Sequence, residues 1–126
     1  MVETTALIVT DGSESTQVMA EAIAAEIKKC KVTFVSAANF KGTDLLPADF
    51  CFFGAENPNP PSFSYLYEML QHINLVNRPC GIFSNSKETI NYLNEMVKDS
   101  ELDLQSEPFT GECNIKDWIT RILSKI

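Results

Sequence analysis

Apolar residues along this chain fall into two alternating rhythms. Short runs, Ala6-Leu7-Ile8-Val9, Val32-Thr33-Phe34-Val35, Phe50-Cys51-Phe52-Phe53-Gly54 and Cys80-Gly81-Ile82-Phe83, have the length and the β-branched or aromatic content of strands. Between them, apolar positions recur three or four apart: Val18, Ala22, Ile23 and Ile27; Phe63, Leu66, Tyr67, Leu70 and Ile73; Ile90, Leu93, Met96 and Val97; and Ile115, Trp118, Ile119, Ile122 and Leu123. That spacing predicts four helices, each with one buried stripe. The run from Phe50 to Gly54 is unbroken, the pattern of a strand buried on both faces, so it is expected at the centre of a sheet. Residues 102–109 read as a fifth strand or its approach.

The breaks between elements carry their own signals. Lys28 and Lys29 close the first helix with the charge that a helix C-terminus favours. Residues 36–47 predict a loop with a short helical turn around 43–46, and 55–62 a loop stiffened by Pro58, Pro60 and Pro61. Asn85 and Glu88 stand three apart before an apolar stripe, the capping-box arrangement at a helix start. Strands alternating with helices in this way imply a three-layer α/β domain: a doubly wound parallel sheet of five strands, helices on both faces, right-handed crossovers. At 126 residues the chain reads as one domain, 1–126, with a core of its own.

Ligands of such sheets bind beyond the carboxyl ends of the strands. Three loops are expected to meet there: 10–16, 55–62 and 84–87. The first, which contains Asp11, Gly12, Ser13, Glu14, Ser15 and Thr16, runs from a strand into a helix. Its backbone N–H groups and the positive end of the helix dipole suit an anion, most often a phosphate, and Ser13, Ser15 and Thr16 could add hydroxyl donors. The same residue types are what helix caps prefer, so the loop reads equally as a cap.

Charge narrows the partners. Seventeen acidic against ten basic residues give a formal charge of −7, which disfavours nucleic acid and suits a basic protein partner or simple solubility. No apolar run approaches the roughly 20 residues of a membrane span, and the N-terminus lacks the pattern of a secretory leader, so a soluble cytoplasmic protein is expected. Cys30, Cys51, Cys80 and Cys113 form no C-x-x-C pair and His72 is the one histidine, which argues against zinc and dithiol chemistry. Cys51 and Cys80 read as buried free thiols of a reducing compartment, with disulfides the lesser alternative. His72 is placed on the outer face of its helix, and Phe40 reads as an exposed aromatic near the loop cluster.

The stretch T-D-G-S-E-S-T-Q-V-M-A-E-A-I-A, residues 10–24, resembles the phosphate loop of the flavodoxins, whose usual form is Ser/Thr-x-Thr-Gly-Asn-Thr followed by a helix with Ala and Ile at the positions of Ala20 and Ile23. The spacing of strands and helices is similar to that family over nearly the whole chain. The resemblance implies strand order 2-1-3-4-5 and flavin mononucleotide (FMN) held noncovalently at Asp11, Gly12, Ser13, Glu14, Ser15 and Thr16. Ala55, Glu56, Asn57, Ser84, Asn85 and Ser86 would then flank the ring. The implied role is an electron carrier between redox partner proteins with basic docking surfaces rather than a stand-alone enzyme, with no catalytic residue and no metal.

Matched by position, Asp11 stands for the family's first hydroxyl residue, Ser13 for the first Thr, Glu14 for Gly, Ser15 for Asn and Thr16 for the final Thr. Glu14 is the departure: a carboxylate about 4 Å from a phosphate charge costs on the order of 4 kcal/mol at an effective dielectric near 20, unless the side chain turns to water. The second loop also lacks the family's aromatic residue, with Phe63 and Tyr65 the nearest. The alternative is therefore a binding or regulatory module that has kept the fold and lost the flavin. A response-receiver domain is excluded, because Phe53-Gly54-Ala55 stands where its phosphorylated Asp would end strand three. Neither a P-loop motif nor the Cys and Arg of a small cysteine phosphatase is present.

Overall fold

A computed structural model describes residues 5–27, 31–45, 48–58, 60–72, 78–100, 102–104, 108–111 and 114–123. In chain order they form β1 (Thr5–Thr10), α1 (Glu14–Glu26), β2 (Lys31–Ser36), β3 (Phe50–Gly54), α2 (Phe63–His72), β4 (Pro79–Phe83), α3 (Lys87–Lys98), β5 (Asp103–Leu104) and α4 (Ile115–Leu123), with single 3-10 turns at Ala37–Asn39 and Gly42–Asp44 after β2. The turn expected at 43–46 thus falls slightly earlier, and Leu46 and Pro47 lie outside the described residues, as do Lys28, Lys29, Cys30, Asn59, Ile73 and Cys113.

All pairings are parallel and the sheet order is β2-β1-β3-β4-β5. The body of the sheet is β2-β1-β3-β4. Of the expected 102–109, Asp103 and Leu104 pair with Pro79 and Cys80 and one further bridge joins Phe83 to Phe109 among the described residues, which exclude 105–107.

The alternation of side chains sorts the core into two layers. Leu7 and Val9 of β1, Cys51 and Phe53 of β3, and Cys80 and Ile82 of β4 meet Phe63, Leu66 and Leu70 of α2 and Leu93, Met96 and Val97 of α3. On the opposite face Ala6, Ile8, Phe50 and Phe52 meet Ala20 and Ile23 of α1 and Trp118, Ile119 and Ile122 of α4. Every residue of β3 and of β4 is buried, as expected of central strands. The sheet is close-packed where glycine permits it: a Cβ on Gly54 would stand 2.1 Å from the Phe83 ring, and one on Gly81 2.7 Å from Ile122.

The buried stripe of α1 differs from the expected one. Thr16, Ala20, Ile23 and Ile27 face the sheet, whereas Val18 is 62% exposed and Ala22 is also exposed. The β1-to-α1 loop rotates the helix so that the small residues Thr16 and Ala20 pack closest to the strands. The other three helices turn the stripes expected for them to the sheet among the described side chains, with Tyr67 and Ile115 partly buried.

Candidate functional site

The 10–16 loop is built by an Asx turn on a glycine. Gly12 has φ +83, the left-handed region that a side chain disfavours, and the chain reverses there to start α1 at Glu14. Asp11 closes the turn: its Oδ1 accepts the Ser13 N–H at 3.0 Å and the Ser13 hydroxyl at 2.7 Å. Ser13 Oγ also stands 2.6 Å from the hydroxyl of Thr16, which is buried against the sheet. Ser13 is the N-cap by its extended backbone, yet its side chain makes no capping bond to the helix, because it is committed to Asp11 and Thr16.

Asp11 also reaches the second loop. Its Oδ2 accepts the N–H of Glu56 at 2.8 Å, and the Ser15 hydroxyl donates to Glu56 Oε1 at 3.1 Å. The Glu56 carbonyl in turn accepts from the buried Thr89 hydroxyl at 3.0 Å, which ties this loop to the first turn of α3. Two carboxylates and two hydroxyls therefore hold the ends of β1, β3 and α3 together. This cluster lies beyond the carboxyl ends of the central strands, where ligands of such sheets bind.

The third loop enters differently from what its sequence implies. Ser84 is buried, donates its backbone N–H to the Phe109 carbonyl and accepts the Ser86 N–H on its hydroxyl. The N-cap of α3 is Ser86, whose Oγ takes the Thr89 N–H at 3.4 Å, so the cap falls one residue after Asn85. Asn85 is exposed. The contact between this region and the other two loops is made by Thr89, a residue the sequence reading did not single out. A Ser-x-x-Thr pattern at a helix start was the available signal.

Of the remaining candidates, Ala55 is buried within the α2 and α3 layer, and Asn57 is exposed on the second loop. Phe63 is wholly buried in the core, whereas Tyr65 is 47% exposed and packs on Phe40 with ring centroids 5.9 Å apart. Phe40 is itself buried, not exposed as expected, because the 3-10 turns after β2 fold it under α2. Cys51 is buried, and the apolar surroundings push its thiol up to about 12. His72 is exposed. Among the described residues no group of His, Cys, Asp and Glu is arranged to hold a metal ion, and no helix is long and apolar enough to cross a membrane.

Fold and loop cluster together define a doubly wound α/β domain of the 2-1-3-4-5 type. Comparison with solved structures makes this a flavodoxin-like fold. The chain is similar to oxidised flavodoxin 2 from Bacillus cereus, with a TM-score of 0.80 over 97% of this chain and 99% of that one at 14% identity. It is similar to a short-chain flavodoxin associated with a non-canonical PDU bacterial microcompartment (TM-score 0.77, 14% identity, 97% and 95% covered). A flavodoxin of Streptococcus pneumonia TIGR4 matches with a TM-score of 0.73 at 14% identity over 96% and 95%. No protein-family model matches the chain, and no curated protein matches it in sequence.

The flavin mononucleotide implied by such a fold can be tested against the donors at the start of α1. The Ser13 donors do not fit a phosphate as they stand, because the Ser13 N–H and hydroxyl already serve the Asp11 carboxylate. Glu14, expected to be the obstacle, is exposed at the first position of the helix. The carboxylate among the donors is Asp11.

Proposed function

We propose that this protein is a flavodoxin-fold docking module that does not carry flavin mononucleotide. The observation that carries this reading is the Asp11 carboxylate, which takes the N–H and hydroxyl of Ser13, two donors at the start of α1, and ties them to the Glu56 N–H of the second loop. A phosphate there meets the Asp11 charge, and two like charges about 4 Å apart repel by on the order of 4 kcal/mol at an effective dielectric near 20. The second loop is tethered to the first through Glu56 and carries prolines in place of an aromatic residue. In this reading the protein works by contact. Exposed Glu14, Glu56 and Glu88 at one end of the sheet, with a net charge of −7, suit a partner protein that presents basic side chains.

A second reading, an FMN-binding electron carrier, is favoured by the likeness to flavodoxins over nearly the whole chain and by the first turn of α1. There the N–H groups of Glu14, Ser15 and Thr16 have no intrahelical acceptor. In this reading the backbone of 11–16 with Ser13, Ser15 and Thr16 holds the phosphate, and 55–57 and 84–86 flank the ring. The cofactor, when bound, supplies the electron transfer.

One experiment separates the two. The visible absorbance spectrum of the purified protein is recorded before and after addition of excess FMN and desalting. The docking-module reading expects a colourless protein that retains no flavin. Retained flavin bands, perturbed from those of the free cofactor, would overturn it in favour of the carrier.

A further inference from the structure

We propose that Asp11 is the specificity-determining residue of the loop cluster: its carboxylate is a built-in anion at the start of α1 that turns phosphate monoesters away. The proposal rests on the docking-module reading and names the residue responsible.

Both oxygens of this one carboxylate are committed, and to different parts of the chain. Oδ1 takes the backbone N–H and the hydroxyl of Ser13, while Oδ2 takes the N–H of Glu56 from the loop after β3. The first contact belongs to a local turn that any Asp-x-Ser sequence could form. The second does not, because it spans 45 residues of sequence and holds two loops at one anionic centre. A negative group at this position is also favoured by the α1 dipole, so the carboxylate is stable where it lies and an incoming anion must displace it.

Displacement would undo more than one bond. Glu56 is joined to Ser15 through its carboxylate and to Thr89 through its carbonyl, so release of its N–H loosens the contacts between 10–16, 55–58 and α3. A neutral ligand that leaves Asp11 in place avoids both this loss and the like-charge repulsion. The cluster therefore discriminates by ligand charge, and the discrimination resides in one side chain. Glu14 has an exposed side chain at the next turn of the chain and contributes only a screened charge.

The test compares the natural protein with Asp11→Ser, which removes both acceptor oxygens and keeps a hydroxyl, and with Asp11→Asn, which keeps the shape and removes the charge. Each is titrated with FMN and with riboflavin, which shares the ring and lacks the phosphate. The expected result is that the preference for FMN over riboflavin rises at least about tenfold in Asp11→Ser, and that inorganic phosphate competes with the gain. An unchanged preference overturns the proposal, whether neither flavin binds the variant or both gain alike. If the natural protein itself binds FMN, the docking-module reading falls, while the change in preference on removing Asp11 still decides this proposal. Far-UV circular dichroism confirms folding, and if Asp11→Ser does not fold, Asp11→Asn decides on the same criterion.

Discussion

The Asp11 carboxylate and the Glu56 amide, 45 residues apart in sequence, meet at 2.8 Å and join the loop after β1 to the loop after β3. Hydrogen bonds to a charged group contribute about 1.5–3 kcal/mol, reduced here because the contact is near solvent. Asp11→Ala is therefore expected to lower the unfolding free energy by about 1–3 kcal/mol in urea. Asp11→Asn should lose less, since one acceptor oxygen remains for Ser13. A midpoint unchanged in both variants would mean that the carboxylate does not tether the loops.

Gly54 is required by Phe83 rather than by its own backbone. An added Cβ would lie 2.1 Å from the ring, between two fully buried strands with no room to shift. Gly54→Ala is expected to cost about 1–3 kcal/mol or more by overpacking. Combining it with Phe83→Leu, itself destabilising, should cost less than the sum of the two, measured as a double-mutant cycle by thermal or urea unfolding. Strict additivity would refute the clash.

Trp118, the one tryptophan, is fully buried between Phe52 and Phe109, with ring centroids 5.8 and 5.3 Å away. Its emission should be blue-shifted in the native state and move red in one step on unfolding. Trp118→Ala is expected to cost about 3–5 kcal/mol by circular dichroism, because the site borders Gly81, which has no side chain to fill the void.

Tyr67 donates to the Asp99 carboxylate at 2.7 Å, and that bond, followed by burial and the Asp99 charge, holds its phenol up to about 12 from 10. A group whose folded pKa is raised stabilises the native state below its unfolded pKa and loses that contribution as pH rises through the folded value. Stability should thus fall between about pH 10 and 12, and Tyr67→Phe should flatten that part of the profile. Urea midpoints at pH 8 and pH 11 for both proteins test this. The effect is small because Tyr67 lies near the surface. An equal decline in both would remove Tyr67 as its source.

Cys51 gives a fifth observable. Its thiol, pushed to about 12 by burial, should not react with an aromatic disulfide reagent at pH 8 until the protein unfolds. Peptide mapping after labelling identifies the site, and native-state labelling of Cys51 would contradict its burial in β3.

The strands and most of the helices were legible because their signals are local. Phe50 to Gly54 reads as central from its unbroken apolar content, and the α2, α3 and α4 stripes follow helical spacing. The α1 stripe was misread because Thr16 and Ala20, small or polar, face the sheet while Val18 faces water. Hydrophobicity alone ranks Val18 above Thr16, but close approach of a helix to a sheet favours small side chains. Phe40 was similarly misplaced, since nothing in its neighbours in sequence reports that α2 covers it.

The candidate site divides along the same line. Sequence determined its position, because the 10–16 loop, the glycine turn and the alternation of strand and helix follow from residue order and local preference. It also determined that carboxylates crowd the loop. Only the tertiary structure decided which of them lies among the donors. Glu14, the departure visible in the sequence, opens α1 and is exposed, whereas Asp11 accepts from Ser13 and Glu56. The physical reason is that a turn can place a carboxylate, but its second oxygen finds a partner only when distant strands bring their loops together.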